Sequence, residues 1–107
     1  MSDTTTEFSN VTVTKAANVY FDGKVSSRKL AFADGSIKTL GLMAIGDYKF
    51  GTEQKELMEI LAGDCEILLP NSDVWQKVSA GESFEVPANS SFEIKALTIV
   101  DYCCSYF

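Results

Sequence analysis

The sequence predicts an all-β fold, a single-domain jelly-roll barrel. Apolar and polar residues alternate with a period of two through most of the chain, which is typical of strands with one buried face. Turn residues such as Asp-Gly and Gly-Asp recur at short intervals, whereas helix signals are scarce. The 107 residues are close to the common size of one domain. Many short strands within one domain favour a double-sheet jelly roll or barrel.

Strands and turns can be assigned in order along the chain. Residues 1–17 mix threonine, valine and alanine and are expected to form an N-terminal arm or edge strand, whereas the barrel domain spans 18–107. Gly41 lies inside an apolar run and predicts a bulge or a close backbone approach. A break at Gly63-Asp64 divides another apolar run into two strands. The predicted strands are 18–21, 24–32, 37–45, 48–52, 57–62, 65–70, 74–78, 83–86, 91–94 and 97–107.

The charge balance limits the partners that the protein can have. Nine basic and fifteen acidic residues give a net charge of −6, which repels nucleic acid and anionic lipid at long range. A small anion such as phosphate can still bind where local donors converge. No stretch approaches the ~20 apolar residues of a membrane helix, and the start MSDTTTEFSN does not resemble a signal peptide. We therefore expect a cytoplasmic protein that binds neither nucleic acid nor membrane.

The three cysteines, Cys65, Cys103 and Cys104, predict neither a disulfide scaffold nor a zinc site. Because Cys103 and Cys104 are adjacent, they would point to opposite faces of a sheet if this segment is a strand. A thiol nucleophile normally needs an activating base, and the chain contains no histidine. We expect buried or half-buried structural thiols.

Two segments resemble the metal-binding motifs of the cupin barrels. Glu56 and Gly63, with LMEILA between them, match the second half of the first motif, and GESFEVP matches the second motif. The positions of the histidine ligands are taken by Phe50, Thr52 and Phe92. Phenylalanine offers no lone pair, and one carboxylate with one hydroxyl cannot complete the ligand shell of zinc, iron or manganese. The sequence therefore predicts no metal site.

What remains at the predicted barrel centre is a cavity with aromatic walls and one carboxylate, which suits a flat organic ligand. A carboxylate desolvated between aromatic rings would have a raised pKa. Two alternatives stay open: Phe50 and Phe92 can simply fill the core, and Glu56 can face solvent at the rim.

Several longer segments together resemble a known family. They are GDYKFGTEQKELMEILAG, LLP, WQKV, AGESFEVPANSSFEI and YCCSYF, with YFDGKV near the start. In combination they resemble the small bacterial pyrimidine/purine nucleoside phosphorylases. The resemblance implies a cupin-like jelly-roll barrel without a catalytic metal or other cofactor. It further implies a cytoplasmic homodimer that cleaves purine and pyrimidine nucleosides with phosphate to the free base and ribose 1-phosphate.

Phosphorolysis of an N-glycosidic bond needs a group that neutralises charge on the departing base, surfaces that enclose the base, and donors that hold phosphate. Glu56 is the leading proton donor, with Glu93 as the second candidate. The residues expected to enclose the substrate are Tyr48, Phe50, Thr52, Met58 and Phe92.

Lys38 with Thr39 are the favoured phosphate ligands, and Lys24 and Arg28 are the alternatives. Neighbours on a strand face opposite ways, so Lys38 and Thr39 can cooperate only at a bulge or a strand end. Tyr102 and Tyr106 could add hydroxyl groups to the site or pack within the C-terminal strand.

The alternative function is a non-catalytic module that binds a nucleoside or another small metabolite. An isomerase or sugar-modifying cupin is disfavoured because histidine is the usual base in such enzymes.

Overall fold

A computed structural model describes residues 6–107 and shows two antiparallel sheets that face each other. The all-β prediction is confirmed, although the two sheets do not join into a closed barrel. The strands are β1 (Thr12–Val13), β2 (Asn18–Tyr20), β3 (Val25–Ala31), β4 (Ile37–Met43), β5 (Gly46–Thr52), β6 (Glu56–Ala62), β7 (Asp64–Leu68), β8 (Gln76–Ser79), β9 (Ser83–Val86), β10 (Ser90–Ala96) and β11 (Val100–Tyr106).

The larger sheet has seven strands and the smaller has four. In the larger sheet the order is β1-β3-β4-β11-β6-β9, with β2 also paired to β3. In the smaller sheet the order is β5-β10-β7-β8. Strand β5 is therefore an edge strand, and a short 3₁₀ turn (Phe21–Gly23) leads from β2 into β3. No helix in the part of the chain that the structure describes is long and apolar enough to span a membrane.

The core lies between the two sheets and is formed by alternate side chains of their strands. Strand β10 shows the pattern well, since Phe92 and Ile94 are buried whereas Glu93 is exposed. The fully buried side chains include Met43, Ile60, Ile67, Ile94, Val25, Val86, Val100 and Cys65. Burial of apolar area on this scale is the main favourable free-energy term for a chain of this size.

The register of the larger sheet aligns polar side chains into rows on its inner face. One row joins Ser27 on β3, Gly41 on β4 and Tyr102 on β11, which are cross-strand partners. The next row joins Thr39, Cys104 and Met58, and the one after it joins Tyr106 and Glu56. Hydroxyl, thiol and carboxyl groups from β3, β4, β6 and β11 therefore come together on one face.

Gly41 makes the close approach that the sequence predicts. A Cβ at this position would lie 2.5 Å from the Tyr102 hydroxyl and 2.6 Å from the Ser26 carbonyl oxygen. The Tyr102 ring thus occupies the space that a side chain at position 41 would need. Glycine is required here by packing, and its hydrogen side chain lets the tyrosine lie flat on the inner face of the sheet.

Candidate active site

A cavity of about 520 Å³ lies between the two sheets. This volume is within the usual range of sites for small organic ligands. The larger sheet lines it with Ser27, Met43, Glu56, Met58, Tyr102, Cys104 and Tyr106; the smaller sheet contributes Lys49, Phe50, Gly51 and Phe92, and the β2 end and 3₁₀ turn add Tyr20 and Phe21.

One wall of the cavity is aromatic. The rings of Phe50 and Phe92 stack with centroids 5.6 Å apart and planes inclined by 27°. Phe21 packs edge-on against Phe50 with ring centroids 5.4 Å apart, and Phe84 packs edge-on against Phe92 with centroids 5.6 Å apart. Phe92 is buried while Phe50 is half-buried, so Phe50 offers part of its surface to the cavity. A flat heterocycle can stack against such a surface.

Glu56 lies on the opposite wall, at the start of β6. Burial raises the pKa of its carboxyl group, and a hydrogen bond from Cys104 partly opposes this rise. The donor Sγ of Cys104 is 3.5 Å from the acceptor Oε1. A half-buried carboxyl group with a raised pKa can hold a proton at a higher pH than a solvated one, which is what a general acid needs.

Three tyrosines line the same cavity as this carboxyl group. Burial raises the pKa values of Tyr102 and Tyr106, so both hydroxyls remain protonated at neutral pH. The Tyr106 hydroxyl is 3.2 Å from Oγ1 of Thr39. Tyr20 is exposed at the cavity mouth. The cavity therefore combines one carboxyl group with several neutral hydroxyl groups, which suits a polyhydroxylated ligand such as a sugar.

Four of the predicted site residues line the cavity together: Glu56, Phe50, Met58 and Phe92. Their roles toward a ligand stay predictions. Glu93, the second candidate for proton donor, is exposed on the outer face of β10 and does not line this cavity.

Tyr48 and Thr52 are close to the cavity, but both are engaged within the fold. Tyr48 is buried behind Phe50 and donates its hydroxyl hydrogen to the Ala44 carbonyl oxygen at 2.7 Å. The Thr52 hydroxyl donates to the Pro87 carbonyl oxygen at 2.7 Å and accepts from the Ser90 backbone N–H at 3.0 Å. Neither residue belongs to the cavity lining, and their predicted contacts with a substrate stay predictions.

The predicted phosphate pair is divided by the sheet. Thr39 is buried on the inner face and bonded to Tyr106, whereas Lys38 projects from the outer face. The Lys38 ammonium lies 5.4 Å from the ring centroid of Phe8 and 5.8 Å from that of Phe32. Period-two alternation separates these neighbours, and β4 has no bulge in its pairing with β3 or β11 to bring them together.

Lys49 is the cationic residue that lines the cavity. It is exposed, and in the part of the chain that the structure describes the single ion pair is Lys55 with Glu85, 3.7 Å apart. Sequence reasoning missed Lys49 because it alternates with the inward Tyr48 and Phe50. It is the cross-strand partner of Glu93, so its side chain leaves the edge strand β5 toward the outer face, where it also borders a second, smaller pocket.

Phe21 was also missed. It has a φ of 52°, a left-handed conformation that bulky residues rarely adopt. The ring lies 5.0 Å from Tyr48 and 5.4 Å from Phe50, so the turn places an exposed aromatic ring at the cavity mouth. The Asp22-Gly23 turn signal was visible in the sequence, but the direction of the preceding ring was not.

The residues present do not fit the metal of metal-binding cupins. Phe50 and Phe92 supply no donor atom, and the Thr52 hydroxyl is already bonded to backbone groups. Within residues 6–107, no cluster of three or more cysteine, aspartate or glutamate side chains is arranged to hold an ion. Among the four positions that match the metal ligands of cupins, Glu56 is therefore the one that keeps a ligand-type side chain.

Comparisons with known proteins agree with the sequence motifs. The family model of pyrimidine/purine nucleoside phosphorylase matches residues 15–106. A relative named pyrimidine/purine nucleoside phosphorylase in Colwellia psychrerythraea is 67% identical over 100 residues, which cover 94% of this chain and 96% of the relative. A relative of the same name in Hydrogenovibrio crunogenus is 66% identical with the same coverage.

Solved structures show the same fold. A protein of unknown function from Acinetobacter sp. ADP1 superposes with a TM-score of 0.91 at 39% identity, covering 94% of this chain and 98% of that one. A cupin superfamily protein from Desulfitobacterium hafniense superposes with a TM-score of 0.66 at 20% identity, covering 82% and 81%. The second likeness concerns the fold alone and confirms the cupin-like architecture. From the sequence match over nearly its whole length, the chain belongs to the pyrimidine/purine nucleoside phosphorylase family.

Proposed function

We propose that this protein is a nucleoside phosphorylase of broad specificity that works without a catalytic metal. It cleaves purine and pyrimidine nucleosides with inorganic phosphate to the free base and ribose 1-phosphate. The observation that carries the proposal is the cavity in which the stacked Phe50 and Phe92 face the half-buried carboxyl group of Glu56. Family membership supplies the reaction type, and the cavity supplies groups suited to it.

The aromatic wall would bind the base. Stacking on a phenylalanine ring depends on the π-face that every nucleobase has, and it is therefore tolerant of base identity. Met58 lines the same cavity, and its flexible thioether adapts to ligands of different size. These two features support a site that accepts both one-ring and two-ring bases.

Glu56 would act as the general acid. As the bond between the anomeric carbon and the base nitrogen breaks, the Glu56 proton passes to that nitrogen, and positive charge develops on the sugar. A phosphate oxygen then bonds to the anomeric carbon, and the proton of the hydrogen phosphate restores Glu56. The sum is one C–N bond broken, one C–O bond formed and one proton moved from phosphate to base.

Lys49 is our proposal for the cation that binds phosphate. It lines the cavity, is exposed, and forms no ion pair with Glu56 or any other described residue. The sequence predicts Lys38 and Thr39 for this role, but Lys38 lies on the far side of the sheet from the cavity. A lysine ammonium beside backbone and hydroxyl donors is a common arrangement for phosphate.

We also propose that the protein is a cytoplasmic homodimer. Cys65 and Cys104 remain thiols, which is typical of a reducing compartment.

The dimer is supported by the outer face of the larger sheet, where Leu40 and Leu42 are 36% and 51% exposed and a second copy would cover them. Light scattering of the purified protein tests the dimer, and a monomer mass at micromolar concentration would contradict it.

The function is tested by incubating the purified protein with uridine, adenosine or xanthosine, with and without phosphate. Chromatography should show release of free base only when phosphate is present. Phosphate-dependent release must persist after treatment with a chelator, since the mechanism uses no metal. Binding of nucleoside without release would replace the enzyme by the alternative, a non-catalytic binding module.

A further inference from the structure

A short line of hydrogen-bonding side chains crosses the inner face of the larger sheet and ends at Glu56. Thr39 Oγ1 lies 3.2 Å from the Tyr106 hydroxyl oxygen, and Cys104 Sγ donates to Glu56 Oε1 at 3.5 Å. Cys104 and Tyr106 are two positions apart on β11 and therefore share its inner face. Tyr106 also lowers the pKa of the Cys104 thiol, an effect opposite to that of burial. Strands β4, β11 and β6 each contribute to the line.

The Cys104 thiol remains a hydrogen-bond donor at all physiological pH values. It is buried, with 2% of its surface exposed. Burial is the main reason that its pKa is raised far above the ordinary value, and the nearby Glu56 carboxylate raises it further. A thiol held in the neutral form is a poor nucleophile, so its chemical reactivity does not explain its place in the cavity wall. Its two acceptors are Glu56 Oε1 at 3.5 Å and the Ser105 carbonyl oxygen at 4.0 Å, so Glu56 is the nearer one.

The hydrogen bond engages one carboxyl oxygen and leaves the other to the cavity. Oε2 of Glu56 accepts no hydrogen bond from any side chain or backbone group within the described residues, and Glu56 belongs to the cavity lining. Carboxyl oxygens can exchange places by rotation of the terminal torsion, which is broad in glutamate. A fixed donor at Oε1 restricts this rotation and presents Oε2 to a ligand.

The other ionisable groups around Glu56 do not replace this contact. Tyr102 and Tyr106 come from β11, Tyr20 from β2 and Lys49 from β5. The facing parts of β9 and β10 are apolar, with Val86 opposite Glu56 in the ladder and Phe92 across the cavity. Cys104 is the one side chain in the described part of the chain that donates a hydrogen bond to the Glu56 carboxyl group.

We propose that Cys104 is a positioning residue that orients the Glu56 carboxyl group toward the substrate, and that Thr39 and Tyr106 hold Cys104 in place. The thiol contact is a property of the protein alone. Its kinetic consequence rests on the proposed phosphorylase function, in which the oriented Glu56 protonates the leaving base. Mispositioning of a catalytic group by a small distance is known to slow reactions strongly.

The thiol contact is tested by titrating Glu56 in protein labelled with carbon-13 at the glutamate carboxyl groups. Cys104→Ala removes the thiol donor. Cys104→Val also removes the donor but fills the volume of the thiol, so an effect common to both variants does not come from a void in the core. The Glu56 pKa should rise in both variants because burial then acts unopposed. Glu56→Gln identifies the resonance. Cys103→Ala is the matched control, since Cys103 is an equally buried neighbour on the opposite face, and it should leave the Glu56 pKa unchanged.

The kinetic consequence is tested on the same variants. Phosphorolysis by Cys104→Ala should show kcat lowered by about tenfold with little change in the KM for nucleoside. The alkaline limb of its pH profile should move to higher pH, because a general acid with a raised pKa stays protonated longer. A merely structural loss would lower the amount of folded protein but would not move this limb.

The two hypotheses fail in different ways. An unchanged Glu56 pKa in both Cys104 variants would overturn the positioning role, even if the wild-type protein is an active phosphorylase. A raised pKa without any phosphorolysis by wild type would overturn the proposed function and leave the thiol contact supported. A raised pKa with an unchanged kcat would show that the contact does not position Glu56 for catalysis, and would also overturn the inference.

Discussion

At the scale of single residues, the site depends on a carboxyl group placed between apolar surfaces. Glu56 sits among Met58, Phe92 and Val86, and burial raises the pKa of its carboxyl group. In the described part of the chain, no lysine or arginine forms an ion pair with Glu56. Such a pair usually neutralises a carboxylate that is partly buried. An uncompensated carboxyl group costs stability, which is common where a group is kept for chemistry.

Glu56→Gln should lower kcat for phosphorolysis by more than about tenfold while the fold survives, because the amide cannot donate a proton to the leaving base. Steady-state assays with uridine and adenosine measure the change. Glu59→Gln is the matched control, since Glu59 lies on the same strand, opposite Cys103 on the outer face. An unaltered rate in Glu56→Gln would remove Glu56 from the mechanism.

Lys49→Ala should raise the KM for phosphate by about tenfold and change the KM for nucleoside much less, because our proposal assigns the lost ammonium to the phosphate. The measurement is initial rate against phosphate concentration at saturating nucleoside. Lys77→Ala, an exposed lysine on β8 outside the cavity, is the control. A rise in the KM for phosphate in Lys38→Ala instead of Lys49→Ala would favour Lys38 as the phosphate ligand.

At the scale of strands, the site depends on how neighbouring strands are aligned. The β4–β11 pairing places Tyr102 over Gly41, and the β6–β11 pairing places Tyr106 beside Glu56. A shift by one residue would turn each of these side chains to the other face. Gly41 protects this alignment, since any larger residue would push the Tyr102 ring and the Ser26 carbonyl apart.

Gly41→Ala should destabilise the fold by about 1–3 kcal/mol, because the new methyl group overlaps a backbone carbonyl that cannot move freely. Urea denaturation followed by fluorescence measures the free energy of unfolding. Gly51→Ala is the control: it lies on β5, where the nearest atom to a new Cβ is 3.9 Å away. Equal stability of the two variants would show that the Tyr102–Gly41 contact is looser than the structure indicates.

At the scale of the whole molecule, Glu56 makes a contribution to stability that falls as pH rises. Its folded pKa is raised above the unfolded value, so the folded state retains the proton to higher pH. The protonated carboxyl group therefore stabilises the folded state at pH values below both pKa values. This stabilisation is lost as the pH rises from the unfolded pKa through the folded pKa. The site thus weakens the complete fold at alkaline pH.

The melting temperature of Glu56→Gln should therefore exceed that of wild type at pH 8, and the difference should shrink as the pH falls toward the ordinary pKa of a glutamate. Thermal unfolding followed by circular dichroism at several pH values measures it. The same series on Glu59→Gln corrects for the change in net charge. A difference independent of pH would mean that the Glu56 carboxyl group is not desolvated by the fold.

Much of this molecule follows from local sequence. Period-two alternation and turn residues give the antiparallel strands, and the same alternation puts Phe92 inside and Glu93 outside. Glu56, Phe50 and Phe92 occupy ligand positions of the two cupin motifs in the sequence. The structure places all three in the lining of one cavity. Gly41 predicts a close approach because glycine in a strand offers no side chain to pack.

Tertiary structure decided the remainder. Lys49 borders the cavity although it is the cross-strand partner of the outward Glu93, and no local pattern in the sequence encodes that position. The partners of Thr52, Tyr48 and Cys104 likewise come from segments distant in sequence or from turns whose geometry is set by packing. Sequence by itself determined which chemical groups face inward. The pairing of strands that are distant in sequence decided which of these groups contact each other, because it sets the distances between them.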